Sequence, residues 1–340
     1  MLSKQLTFLK EIERMKNKGF GLAIAFVLAL CAMFLGNFFP IIGSSVFALI
    51  LGIVLNELVD LPENSRPGLN WSGKKLLQYS IIFMGFSLPI ATVASTGLSS
   101  LKISLPTITV AFLAAIIFGK VFHLKSHLRT LIGFGTAICG GSAIAAAAPI
   151  IEADEEEIAL SMSTIFFFNI LAVFIFPVLG HIWHMSNFQF GLWSGTAIND
   201  TSSVVAAAFS YSKAAGEMAT IVKLTRALMI VPVCLGLIGL KWYRSKQQGR
   251  NKGMLKKIIP WFIIWFIVAS ILSSIGLVPK VVLPYLKDLS HLFMAMALVG
   301  IGSKVSWKQF RAAGAAPLLV GLIAWFCVAG SSLILQMLFY

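Results

Sequence analysis

The sequence predicts an all-α fold: a polytopic helical membrane protein with about eleven membrane segments and an inverted repeat of paired broken or re-entrant helices. Of the 340 residues, 58% are hydrophobic and 12% are charged, whereas soluble domains carry about 25% charged residues. The mean hydropathy is +0.89, and one stretch of small residues occurs twice. Apolar stretches, most of them long enough to cross a hydrocarbon core of about 30 Å, lie at 20–39, 41–58, 76–96, 103–119, 130–151, 158–180, 188–210, 218–240, 258–276, 288–303 and 314–339.

The first apolar segment follows a basic stretch at the N-terminus. It runs for about twenty residues and lacks an Ala-x-Ala-like cleavage site, so we predict a membrane helix rather than a signal peptide. Residues 1–18 are predicted to form a cytoplasmic amphipathic helix on the inner membrane surface, and a solvated tail is the alternative. Apolar residues recur there at helical spacing among lysines: Leu2, Leu6, Leu9, Ile12 and Met15.

The basic residues recur in alternate loops and do not form one patch. With a cytoplasmic N-terminus, 21 of the 27 Lys and Arg residues fall on the inner side, which is the positive-inside pattern. The outer side carries Lys102, Lys213, Lys280 and Lys287. The net charge of +14 therefore indicates a multi-pass protein of the cell (plasma) membrane that meets the lipid bilayer and not nucleic acid. No linker divides the chain, so 1–340 is predicted to be a single integral membrane transporter domain.

The duplicated stretch predicts the functional site. Residues 135–148 and 195–208 are identical at eight of fourteen positions, at an offset of sixty. In a hydrophobic protein such a pair is typical of the broken helices at a transporter binding site. As simple spans the two copies would run in the same direction, whereas as re-entrant hairpins entering from opposite sides they would be antiparallel. The loop whose side distinguishes these arrangements is acidic, so charge does not decide between them.

Each copy contains a break where backbone groups need a wet or protein-lined environment. The helix resumes after each break, and its free N–H groups and dipole favour an anion. Thr136 and Thr196 are present in both copies. The predicted substrate-binding residues of the two copies are Thr136, Gly140, Gly141, Ser142, Thr196, Thr201, Ser202 and Ser203.

Asn199 and Asp200 are predicted to couple transport to an ion. Asp200 is the carboxylate well inside an apolar segment, and such a residue is a functional candidate by default. It is also well placed to cap the helix that follows, and the two roles are compatible.

Lys223 and Arg226 lie three residues apart, which places both cations on one helix face. We predict that they bind the substrate anion, with Asp200 and Glu217 as partners. The alternative is that both snorkel to the outer interface. Asn169 is either an interhelical hydrogen-bonding residue or a ligand. The four cysteines lack ligand spacing and are expected to be reduced, although Cys139, at the first break, is a candidate for a role in transport.

These residues resemble those of the YeiH-like family of conserved hypothetical membrane proteins, which carry the name sulfate exporter. The resemblance lies in 133–146, 155–159, 191–207 and 221–226. It implies a transporter related in fold to the cation/proton antiporters and bile-acid symporters, with an inverted repeat and crossing broken helices. Asn199 departs from a His that is common before the Asp-Thr-Ser-Ser run in the family. A homodimer is expected only by analogy.

Enzyme motifs and nucleotide-binding loops are missing from the sequence, which argues against an enzyme or a primary pump. We therefore predict a secondary active transporter of a small anion: sulfate, sulfite, or a related sulfur-containing or organic acid. Coupling to H⁺ or Na⁺ and an elevator-like or rocking mechanism are expected, with no catalytic residue, resident metal or other cofactor. The alternatives are a cation/proton antiporter with Asp200 as its ion site, and a non-transporting membrane sensor or scaffold.

Overall fold

The structure, a computed structural model, describes residues 2–39, 43–59, 62–244, 261–304 and 314–340, with only the backbone for 2–17 and 240–244. Every regular element in these ranges is helical. The α-helices are α1 Leu2–Phe38, α2 Gly43–Leu58, α3 Arg66–Trp71, α4 Leu77–Gly85, α5 Ile90–Val121, α6 Ser126–Ala137, α7 Gly141–Ile151, α8 Glu155–Ile182, α9 Asn187–Ala197, α10 Thr201–Tyr211, α11 Lys213–Leu228, α12 Ile230–Arg244, α13 Trp261–Ser274, α14 Leu283–Gly302 and α15 Ala315–Phe339. A π-helical turn, Ser72–Leu76, joins α3 to α4.

The all-α prediction is confirmed for these ranges. Within the described part of the chain, five helices are long and apolar enough to cross a membrane, as expected of a multi-pass membrane protein. They are Lys18–Phe38, Ile90–Val121, Glu155–Ile182, Lys213–Gly239 and Ala315–Phe339.

The predicted boundary between segments 76–96 and 103–119 is wrong. The chain breaks earlier, between α4 and α5, and α5 is continuous through Lys102. The break precedes Pro89, because the residue before a proline is disfavoured in helical conformation. Three serines near Lys102 donate within α5, namely Ser95, Ser99 and Ser100, and the Ser100 hydroxyl donates to the Gly97 carbonyl at 2.7 Å. Polar residues therefore mark a helix face here and not a loop.

The N-terminal segment is helical at the backbone level and continuous with the first span, since α1 begins at Leu2. The side chains of 1–17 lie outside the described part of the chain, so their position at the membrane surface stays a prediction. The basic residues of 245–260 and 305–313 also lie outside the described residues.

The chain forms two compact units. Unit 1 comprises Met1–Ile90 and Phe262–Ser306, and unit 2 comprises Ala91–Trp261 and Trp307–Tyr340. In unit 1 helices approach closely at glycines: a Cβ added to Gly300 would lie 2.4 Å from the Leu69 carbonyl oxygen. Such small-residue contacts are characteristic of helix packing in membranes. That the two units act as one transporter domain stays a prediction.

Candidate functional site

The second copy of the duplicated sequence folds into a helical hairpin, formed by α9 and α10 and called hairpin 2 below. The end of α10 lies beside the start of α9, because the Tyr211 hydroxyl donates to the Met185 carbonyl and the Ser212 hydroxyl donates to Asn187 Oδ1 at 2.7 Å. The rings of Phe190 and Tyr211 stack with their centroids 4.0 Å apart. The chain therefore turns back at the break and does not continue across.

The first copy folds in the same way, and α6 and α7 are called hairpin 1. A Cβ on Gly135 would lie 3.0 Å from Ile144 Cδ1, and these two residues are nearly equidistant from the break. At the open end, Lys125 Nζ lies 3.8 Å from Asp154 Oδ2, just after α7. Both copies are thus folded back, which corresponds to the hairpin alternative considered from the sequence.

Helix α8 contacts both hairpins, and the open end of each hairpin lies at a different end of this helix. Near its start, Glu157 Oε2 lies 3.3 Å from Nδ1 of His127, at the open end of hairpin 1. Near its end, a Cβ on Gly180 would lie within 3.0 Å of both Phe190 and Tyr211, at the open end of hairpin 2. The open ends therefore lie at opposite ends of α8, and the two tips point toward each other.

The tips meet at Asn169, in the middle of α8. The Asp200 backbone N–H donates to Asn169 Oδ1 at 3.2 Å. A Cβ on Gly140 would lie 3.6 Å from Asn169 Nδ2 and 3.3 Å from the Asp200 Cβ. Asn169 therefore contacts both breaks, and its interhelical hydrogen bond is confirmed.

The two breaks are built by different local chemistry. Gly140 has φ 67° and ψ −132°, a conformation that is sterically open essentially only to glycine. Asp200 is extended instead, with φ −96° and ψ 145°. Its carboxylate accepts hydrogen bonds from the Ser202 N–H, at 2.9 Å, and from the Ser202 hydroxyl. The predicted N-cap is confirmed, while ion coupling by Asp200 stays a prediction.

Two buried cations bind the helix ends that point into the tips. Lys223 Nζ donates to the Ile138 carbonyl at 2.7 Å and to the Ile198 carbonyl at 3.0 Å, one from each break. The last carbonyls of a helix lack intrahelical partners and carry partial negative charge. One ammonium group therefore stabilises the inner ends of both α6 and α9.

Arg226 reinforces hairpin 1 in the same way. Its Nε donates to the Ala137 carbonyl at 2.6 Å and its Nη2 to the Thr136 carbonyl at 3.2 Å. Lys223 and Arg226 are both 0% exposed, so the alternative that they snorkel to the outer interface is wrong. Backbone carbonyls accept their hydrogen bonds, in place of the carboxylates that the sequence suggested.

Three buried polar atoms around the tips have no hydrogen-bond partner within the described part of the chain: Asn169 Nδ2, Asn199 Oδ1 and Arg226 Nη1. The three residues are at most 2% exposed. Buried polar atoms nearly always have a partner in native proteins. A small polar ligand or water molecules at the tips would supply it.

The remaining predicted residues divide by exposure. Ser142 is exposed, and Gly141, Asp200 and Thr201 are half-buried, so the accessible part of the tips is the start of α7 together with Asp200 and Thr201 of hairpin 2. Buried positions are Cys139, Asn199, Ser202 and Ser203.

The two threonines are engaged within the fold. The Thr136 hydroxyl donates to the Ile132 carbonyl at 2.9 Å, and the Thr196 hydroxyl to the Leu192 carbonyl at 2.7 Å, while Thr196 Oγ1 also lies 2.6 Å from Ser332 Oγ. Both residues are 0% exposed. The geometry therefore gives these hydroxyls packing roles, and their contact with substrate stays a prediction.

Sequence reasoning missed the groups that contribute through their backbone. Ala137, Ile138 and Ile198 take part by their carbonyls, and nothing in their side chains marks them. The available signal was indirect: a broken helix leaves carbonyls unpaired, and two cations follow the second copy in the sequence, from 25 to 90 residues beyond the carbonyls that they bind. Phe166, which a Cβ on Gly141 would approach to 3.3 Å, was also missed.

Comparison with known proteins places the chain in a family. Residues 20–321 match the family described as Conserved hypothetical protein 698. The chain belongs to this family. Membership confirms the resemblance to the YeiH-like proteins.

Named relatives of this family align over nearly the whole chain. The chain is 41% identical over 332 residues to a UPF0324 membrane protein of Streptococcus pneumoniae serotype 4, covering 95% of this chain and 98% of the relative. A UPF0324 membrane protein of Fusobacterium nucleatum is 41% identical over 343 residues, with 95% and 98% covered. One from Clostridium tetani is 38% identical over 336 residues, with 95% and 97% covered. These names describe the relatives as membrane proteins.

Proposed function

We propose that the protein is a secondary active transporter of a small anion, with its binding site at the tips of the two hairpins. Sulfate, sulfite and related sulfur-containing or organic acids are the proposed substrates. The observation that carries the proposal is the burial of two cations, Lys223 and Arg226, beside a single carboxylate, Asp200.

The charge at the tips supports an anion. With all three groups ionised, the two cations and one carboxylate leave a net charge of +1. The partial negative charges of the α6 and α9 ends are already paired with the cations. The N-terminal ends of α7 and α10, where Ser142 is exposed and Thr201 is half-buried, present positive dipole ends at the tips. Because uncompensated charge is costly in a low-dielectric interior, a bound anion would stabilise the site.

Asp200 supplies a route to coupling with H⁺. Its carboxylate is half-buried at the break, so a proton can reach it from the accessible side. Protonation would raise the net charge of the tips from +1 to +2 and so strengthen anion binding. The proposal therefore expects the anion and the proton to bind together. Na⁺ in place of H⁺ would act through the same carboxylate.

The proposal includes the finer membrane arrangement. The opposed hairpins support an inverted repeat in which one hairpin enters from each side, among about eleven membrane-embedded segments. Alternating exposure of the tips would follow an elevator-like or rocking movement. The N-terminus is proposed to be cytoplasmic, the membrane to be the plasma membrane, and the functional form to be a homodimer.

The test is flux into proteoliposomes with labelled sulfate, sulfite and an organic sulfonate under imposed pH or Na⁺ gradients. Asp200→Asn should retain the N-cap, because asparagine caps helices about as well, but should uncouple flux from the gradient. Lys223→Ala should abolish flux. The matched control, Lys213→Ala, removes an exposed lysine of the same helix and should leave flux unchanged.

Absence of anion flux under every gradient would contradict the proposal. A pH-dependent Na⁺ or K⁺ flux, abolished by Asp200→Ala and independent of anions, would favour the cation/proton antiporter. The position of Lys223 argues against that rival, since its ammonium group already occupies two carbonyl oxygens at the breaks, those of Ile138 and Ile198, that could otherwise serve a bare cation as ligands. Ligand binding without flux would indicate the sensor or scaffold.

A further inference from the structure

The hairpin tips contain an uneven set of unused hydrogen-bonding groups. An ammonium group has three N–H donors, and Lys223 uses two of them on carbonyls of the two breaks. Arg226 Nη1 and Asn169 Nδ2 are donors without a partner in the described part of the chain. Asn199 Oδ1 is a buried acceptor that also lacks one there. The tips therefore offer several donors, and a buried acceptor besides, to a ligand that binds between them.

These four side chains meet at the two breaks. Asn199 lies between the residue whose carbonyl binds Lys223 Nζ and the residue whose N–H donates to Asn169. Arg226 follows Lys223 by three residues, on the same face of α11, and donates to carbonyls just before the first break. All four residues are at most 2% exposed, so bulk water does not satisfy their free atoms.

The two asparagines do not satisfy each other, since Asn169 Nδ2 and Asn199 Oδ1 are both without a partner. The orientation of Asn169 is fixed, because its amide oxygen accepts the Asp200 N–H at 3.2 Å and its NH₂ group could not. Asn199 Oδ1 can only accept, so it requires an O–H or N–H from a ligand or a water molecule. The Asp200 carboxylate is half-buried, so water can reach it.

We propose that the tips select anions that carry a hydroxyl group beside their ionised oxygens, and that Asn199 recognises the hydroxyl. The inference rests on the proposed transport of an anion at this site and narrows its substrate class. The ionised oxygens accept hydrogen bonds from Lys223, Arg226 and Asn169, while the hydroxyl donates to Asn199 Oδ1. Hydrogensulfite and hydroxyalkyl sulfonates have this combination of groups, whereas sulfate has no hydroxyl at neutral pH.

The test compares two anions that differ in one group. Isethionate carries a hydroxyl where propane-1-sulfonate carries a methyl group, and both are similar in size and singly charged at any working pH. Their binding to the purified protein is measured by titration calorimetry in detergent at fixed ionic strength. Isethionate should bind at least about tenfold more tightly, because propane-1-sulfonate leaves the buried acceptor unpaired.

Two variants assign the preference to Asn199. Asn199→Leu keeps the approximate size of the side chain and removes the acceptor, so the two affinities should become equal or reverse their order. Asn199→Cys introduces the residue type that occupies the equivalent position, Cys139, in hairpin 1. A thiol is a weak acceptor, so this variant should also lose the preference. Asn70→Leu, the same change at an exposed position of α3, is the control and should keep the ratio.

Equal affinities for the two anions in the unmodified protein would overturn the inference without any variant, and would indicate that water satisfies Asn199. A preference that survives in the Asn199 variants would overturn it as well. Either result, found together with anion flux in proteoliposomes, would leave the transporter proposal intact. Absence of both binding and flux for every anion would instead overturn the two proposals together.

Discussion

Hairpin 1 and hairpin 2 share eight of the fourteen residues of the duplicated stretch, but they differ at the break itself and in their surroundings. In hairpin 2 the second helix, α10, is buried from Ser202 to Ala208. In hairpin 1 the second helix exposes Ser142, Ala145 and Pro149, which lie along one face of α7. The residues that the copies share therefore give a helical hairpin twice, although Gly140 and Asp200 form its break with different backbone conformations. The neighbouring helices bury the second helix of hairpin 2 and leave one face of α7 exposed.

Hairpin 2 is held in place by hydrogen bonds to α15. Trp193 Nε1 donates to the Ala329 carbonyl at 3.1 Å, and Gln336 Nε2 donates to the Gln189 carbonyl at 3.0 Å, so α15 is tied to α9 along its length. Lys223 then links the inner end of α9 to that of α6. The comparison teaches that the duplicated sequence determines where each hairpin turns back, whereas packing against neighbouring helices such as α11 and α15 determines how far each copy is buried.

The largest expected effect is loss of the group that both hairpins share. Lys223→Met should lower the free energy of unfolding by about 2–5 kcal/mol, because it leaves two buried carbonyls without their charged donor. Unfolding in mixed micelles measures this. Lys213→Met, at an exposed position of the same helix, should change stability by less than about 0.5 kcal/mol. Equal stability of Lys223→Met and the unmodified protein would remove the link between the hairpins.

A smaller effect is expected where the breaks differ. Gly140→Ala should cost about 1–3 kcal/mol, because alanine is strained at φ 67°. The neighbouring Gly141 has helical geometry and open space apart from Phe166, so Gly141→Ala should cost less than half as much. The same unfolding assay compares them. Similar losses for the two variants would show that the break in hairpin 1 does not depend on its glycine conformation.

The difference in exposure predicts a difference in reactivity between equivalent positions. Ser142 and Ser202 correspond at the offset of sixty, but Ser142 is exposed while Ser202 is 6% exposed. With Cys31 and Cys327 replaced by serine, Ser142→Cys should react with a small thiol reagent at least about tenfold faster than Ser202→Cys, because a buried thiol requires local opening. Equal rates would mean that both hairpins open alike.

The smallest effect concerns the paired threonines. Thr196→Val removes a hydrogen-bonding group that reaches Ser332 on α15, and such interhelical bonds contribute about 0.6 kcal/mol on average in membranes. Thr136 donates within its own helix, so Thr136→Val should cost less. The unfolding free energies of the two variants are measured side by side. A larger loss of stability in Thr136→Val than in Thr196→Val would contradict the stabilising role given to the contact between Thr196 and Ser332.

Much of the fold could be predicted because it depends on local composition. Apolar stretches indicated helices, and the duplicate indicated two breaks at Gly140 and Asp200. The N-cap at Asp200 followed from the residue type and its position before Thr201 and Ser202.

The direction of the chain after each break could not be predicted from local composition. Folding back is decided by contacts between distant residues, such as Tyr211 with Met185, and small residues permit a straight continuation equally well. The hydrogen-bond partners of Lys223 could not be predicted for a related reason: they are backbone carbonyls, which every residue has, so no residue type marks them. The helix boundary at Pro89 was missed because polar residues near Lys102 resemble a loop when their hydrogen bonds within α5 are not known.

The position of Asn169 has an electrical consequence. It lies fourteen residues from Glu155 and thirteen from Ile182, at the midpoint of a helix long enough to cross the membrane. A charge bound at the tips beside it, with α8 spanning the bilayer, has crossed about half of the membrane voltage, which corresponds to about 1.2 kcal/mol per elementary charge at 100 mV. The membrane potential would therefore change the occupancy of the tips by about the same factor for access from either side, but in opposite directions.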